Sequence, residues 1–81
     1  MLKTKAVPDN VMSLVSKADS NDALKVDIYP NHDGTKECVS VEYRGSGFES
    51  DEIIEDLLRL HGFHIRKRLS GHVQVFKYFE Y

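Results

Sequence analysis

The sequence predicts one small α+β domain over residues 1–81, ordered α-β-β-α-β-β, with an antiparallel or mixed four-stranded sheet and helices packed on one face. Three observations predict it. Two stretches space their apolar residues at the helical period, four others are strand-like in alternation or composition, and turn-forming residues lie between the strands of each pair. Strand order is not legible in these patterns.

Residues 1–7 read as a flexible N-terminal arm. From Pro8 to Ala18, Val11, Leu14, Val15 and Ala18 mark one face of a short helix, with Asp9 or Asn10 available as a cap. Ser20, Asn21 and Asp22 end it. Leu24, Val26 and Ile28 then alternate with Lys25, Asp27 and Tyr29 as in a half-buried strand, which Pro30 is expected to stop. Asp33-Gly34 is hairpin-turn chemistry, because glycine takes positive φ at little steric cost. The returning strand runs from Lys36 to Arg44, with Val39, Val41 and Tyr43 on one face and Cys38, Ser40, Glu42 and Arg44 on the other.

Between Ser50 and His61, Ile53, Ile54, Leu57, Leu58 and Leu60 repeat at helical spacing. Glu49, Asp51 and Glu52 crowd the first turn, where the helix dipole favours negative charge, and Gly62 is placed to end the helix. FHIRKRL and HVQVFKYFEY follow as two strands around Ser70-Gly71, rich in β-branched and aromatic residues.

Composition bounds the function. Hydrophobic residues make up 41% of the chain and charged residues 30%, a globular balance that argues against disorder. No apolar run approaches the roughly 20 residues that span a bilayer, and MLKTKAVPDN lacks the apolar segment of a signal peptide, so a cytoplasmic protein without a membrane partner is expected. Cys38, the single cysteine, permits no internal disulfide and reads as a strand residue rather than a reactive thiol. No cofactor is expected. Gly45-Ser46-Gly47 lacks the Lys-Ser/Thr of a phosphate loop. His61, His64 and His72 fall within twelve residues, but no cysteine or carboxylate pair completes a metal set.

Charge is divided along the chain. Residues 1–58 hold six Lys or Arg against twelve Asp or Glu, net −6, whereas residues 59–81 hold five against Glu80 alone, net +4. The basic end carries the first candidate site. A three-residue loop, Leu69 to Gly71, would put His64, Arg66, Arg68, His72, Gln74, Phe76 and Tyr78 on one face of the last hairpin. Cations there would meet phosphates and the aromatics would stack on unpaired bases. His64, Arg66, Lys67, Arg68 and His72 are the candidate nucleic-acid contacts. The second candidate site is a protein-interaction surface of Glu49, Asp51, Glu52, Glu55 and Asp56 with Phe76 and Tyr78. The plainer reading of both charged stretches is a solvated face.

Over residues 51–76, DEIIEDLLRLHGFHIRKRLSGHVQVF, the order of helix, Gly-Phe, basic strand, Gly-His turn and strand ending in an aromatic resembles the HicA family of RNA-cleaving toxins. The resemblance spans under a third of the chain. It implies His72 as a general acid or base and Arg66, Lys67 and Arg68 as contacts to RNA phosphates.

The expected function is a small non-enzymatic binding module, a regulator or inhibitor of the sort phages and mobile elements encode, acting on a protein partner. The alternative is RNA or single-stranded nucleic-acid binding through the basic hairpin, a HicA-like RNase included. Edge strands in so small a sheet can also pair between chains, which leaves a homodimer open.

Overall fold

A computed structural model describes residues 4–45 and 51–81. The elements are α1 (Asp9–Asp19), β1 (Lys25–Pro30), β2 (Lys36–Arg44), α2 (Glu52–Arg59), β3 (His64–Lys67) and β4 (His72–Glu80). All strand pairings are antiparallel and the spatial order is β1-β2-β4-β3, so two local hairpins are joined edge to edge by the β2–β4 ladder.

Turn chemistry sets both hairpins. In the first, Gly34 takes φ +75° and its N–H donates to the carbonyl of Asn31. The Asn31 N–H then donates to Lys36 O, and the Asn31 side chain accepts from Lys36 N. β1 ends at Pro30, as expected. The proline lies opposite Glu37, on an outer edge where its missing N–H removes no ladder bond. In the second hairpin Gly71, at φ +89°, donates to Arg68 O while Arg68 N donates to His72 O. This is a three-residue loop closed by a left-handed glycine, the geometry such loops favour, and it fixes the expected register. His64 faces Phe76 and Arg66 faces Gln74.

The alternating apolar residues all turn to one side. Val26, Val39, Val41, Tyr43, Val73 and Val75 join Phe63 in a core closed by Val11, Val15 and Ala18 of α1 and Ile54 and Leu57 of α2. The helix limits differ from the sequence reading. At α1 the N-cap is Pro8, whose carbonyl accepts from Met12 N at 2.9 Å, so neither Asp9 nor Asn10 caps it; the Asn10 side chain bonds its neighbour's amide instead. At α2 Asp51 is the cap, accepting from the amides of Ile53 and Ile54. That helix is shorter than Ser50 to His61, and Leu60, expected in its apolar stripe, is 71% exposed because it falls beyond the last turn. Gly62, at φ +70°, reverses the chain there and lets Phe63 N donate to Leu57 O. Lys77 Nζ reaches the His61 carbonyl at 2.6 Å, placing a cation by the negative end of the helix.

At the far end of the same face is a buried carboxylate. Glu37 accepts from the Thr4 hydroxyl, the amides of Lys5 and Ala6 and the Tyr81 phenol. Residues of the stretch read as a free arm thus converge on β2, and Val7 is buried in the core. Burial pushes the Glu37 carboxyl up, but the bonds from Thr4, Ala6, Lys5 and Tyr81 prevail and hold it below its ordinary value. The Tyr81 phenol is raised in turn, by burial and by the neighbouring Glu37 charge.

Candidate nucleic-acid interface

Among the described residues, the other face of the sheet carries no helix. The register lays its side chains in rows across the strands. Tyr29, Cys38 and Tyr78 form one row, Asp27, Ser40, Phe76 and His64 the next, and Lys25, Glu42, Gln74 and Arg66 the third. Arg44 and His72 make the last.

The floor of this face is small and polar, and longer side chains flank it. Cys38 is 1% exposed between Tyr29 and Tyr78, which are themselves 43% and 47% exposed. Ser40 accepts from Gln74 Nε2 at 2.9 Å, and Gln74 Oε1 accepts from Arg68 at 3.4 Å, so the buried polar side chains satisfy one another. A hydrogen bond with Cys38, then burial, then the nearby Cys38, Tyr78 and Asp27 charges push the Tyr29 phenol up to about 12; it is neutral at physiological pH.

Above the floor lies a cluster of rings and cations. The Arg66 guanidinium sits 5.0 Å from the centroid of Phe76, the His64 ring 5.6 Å from it, and Tyr78 meets Phe76 edge-on at 6.4 Å. Cation–π contact and ring packing hold these planes side by side on an exposed surface. Such planes suit bases, since aromatic faces and guanidinium planes both stack on an unpaired base.

The two sequence-derived sites are redrawn by this geometry. Phe76 and Tyr78, grouped with the acids, share a face with His64, Arg66 and His72. Lys67 turns the other way, opposite Val73 on the helix-covered side, because β3 alternates. The described acids gather on α2, apart from the face of Phe76 and Tyr78. Glu49 lies outside the described residues, Asp51 is committed to capping, Glu55 pairs with Arg59, and Glu52 and Asp56 lie on α2 in the layer behind the sheet. The histidines are separate in role: His64 packs on Phe76, the His72 ring meets Ser70 Oγ at 2.9 Å, and the His61 carbonyl accepts from Lys77. Among the described residues no three His, Cys, Asp or Glu side chains gather to hold a metal, and no helix is long and apolar enough to cross a membrane.

Tyr29, Ser40 and Lys25 are members of the face that the residue pattern did not nominate. Alternation had turned each of them away from the core. Only the strand order, which brings β2 beside β4, joins them to the basic hairpin. No family model, curated protein or solved structure matches the chain.

Proposed function

We propose that this protein is a non-enzymatic binding module of the cytoplasm that takes single-stranded nucleic acid, RNA foremost, on the open face of its sheet. The observation that carries the reading is the contiguous set of Arg66, His64, Phe76 and Tyr78, with Tyr29 across the floor. Bases stack on these planes while Arg66 and Arg68 neutralise phosphates. Stacking is sequence-tolerant and worth about 1–3 kcal/mol per base, so a few planes supply useful affinity without base-specific contacts.

A double change, Arg66→Glu with Arg68→Glu, tests it. Retention of a short unstructured RNA at low salt is expected to disappear, and the salt dependence of wild-type binding should reflect phosphate neutralisation, at about 0.7 log units per contact. A wild-type chain that retains neither RNA nor DNA at low salt would end this reading.

A protein-binding regulator is the second reading, favoured by the exposed Leu60, Ile65 and Leu69 around the last hairpin. Its acidic surface is weakened by the commitment of Asp51 and Glu55 within α2.

A further inference from the structure

A cleft of about 290 Å³ opens where β1 begins, β2 ends and β4 begins. Lys25, Arg44 and His72 line it, together with Asp22 and Glu42. Lys25 faces Glu42 and Arg44 faces His72 across their ladders, so the register delivers three basic side chains from three strands to one place. It is the end of the open face remote from the Tyr29 and Tyr78 row. Among the described residues, the side chains of Lys25 and Arg44 make no ion pair or hydrogen bond, although Glu42 lies opposite one of them. Ser70 Oγ engages Nδ1 of His72, which leaves Nε2 as the ring nitrogen available to a ligand.

We infer that this cleft binds the phosphorylated end of a nucleic-acid strand, one nucleotide carrying a phosphate monoester. The inference rests on the nucleic-acid reading of the open face and gives that face a defined terminus. Three pieces of chemistry support it. The volume lies at the small end of ligand pockets and suits one nucleotide rather than several. A monoester carries close to two negative charges at neutral pH, against one for an internal diester, so a lysine, an arginine and an imidazole together favour the end of a strand over its middle. The Asp22 and Glu42 carboxylates make the cleft unfavourable to a simple polyanion. They also offer acceptors for the amino or ring N–H groups of a base beside its phosphate. Internal phosphates fall instead to Arg66 and Arg68.

Fluorescence anisotropy with one short unstructured oligonucleotide in three forms, 5′-phosphorylated, 3′-phosphorylated and unphosphorylated, tests the inference. One phosphorylated end is expected to bind about tenfold more tightly than the bare strand, the size of one charge-assisted hydrogen bond. That preference should vanish in Arg44→Gln and in Lys25→Gln, and the end that wins gives the polarity of the bound strand. In parallel, an NMR titration with adenosine monophosphate should shift the amides around Ala23, Arg44 and His72 saturably, in the wild type and in Phe76→Ala alike. Oligonucleotide binding without an end preference overturns the cleft and leaves the open face standing. Saturable monophosphate shifts in a chain that retains no oligonucleotide sink the open-face reading and leave the cleft. A titration with no saturable shift overturns the cleft outright.

Discussion

The two faces of the sheet are built from the same strands yet solve burial in opposite ways. On the helix-covered face Val39, Val41 and Val75 vanish beneath Ile54, Leu57 and Val15. On the open face Cys38, Ser40 and Gln74 are almost as inaccessible, with no second layer above them among the described residues. Among the described residues, the longer side chains beside them are those of Tyr29, Tyr78, Phe76, Arg66 and Arg68. One face is closed by tertiary packing and the other is flanked by its own side chains. A face of that second kind leaves its rings half in water, which is the state a stacking ligand requires.

The sharpest way to break the comparison is to hollow each face in turn. Leu57→Ala removes a fully buried side chain from the helix layer and should destabilise the fold by about 2–5 kcal/mol, read as a lowered urea midpoint. Because Leu57 is remote from the open face, the protein still folded should bind RNA with unchanged affinity. Phe76→Ala is the converse. It should weaken RNA binding by about 1–3 kcal/mol, measured by anisotropy at fixed salt, while moving the urea midpoint less than Leu57→Ala does. If Phe76→Ala proves the more destabilising, the open face is a second core and the distinction fails.

Glu37 tests the buried carboxylate of the covered face. Its carboxyl titrates lower in the folded chain than in the unfolded one, so the unfolded state binds the proton more readily. The stability it adds is complete above the ordinary carboxylate value near 4.5 and is lost as pH falls through the lower folded value. Glu37→Gln should flatten that part of the stability curve and leave a deficit of about 1–3 kcal/mol at neutral pH, seen by denaturation across the acid range.

Much of this was legible in the residues, for reasons that differ by element. The limits of β2 and the register of the last hairpin follow from local rules: strict alternation from Lys36 to Arg44, and a loop whose glycine must turn left-handed. Helix ends were less legible, because Pro8 and Asp51 compete with neighbours for the cap and only the fold decides among them. Leu60 keeps the helical spacing but lies past the point where Gly62 redirects the chain. The candidate site was half legible. Its basic hairpin could be drawn from sequence, but Tyr29, Ser40 and the Lys25–Arg44–His72 cleft depend on β2 lying beside β4, a pairing between segments distant in the chain that no local pattern encodes.

That ladder has a kinetic and thermodynamic consequence. Each hairpin closes a short loop, but joining Arg44 to His72 closes a longer one that encloses α2 and β3, so its entropy is lost late and all at once. An isolated two-stranded hairpin is marginal in water, so neither half is expected to persist alone. The open face straddles this seam, with Tyr29, Cys38 and Ser40 on one side and Phe76, Tyr78 and Arg66 on the other. No partly folded form presents the complete surface. A ligand that spans it therefore recognises only the native state, and by mass action its concentration sets how much of the chain is folded.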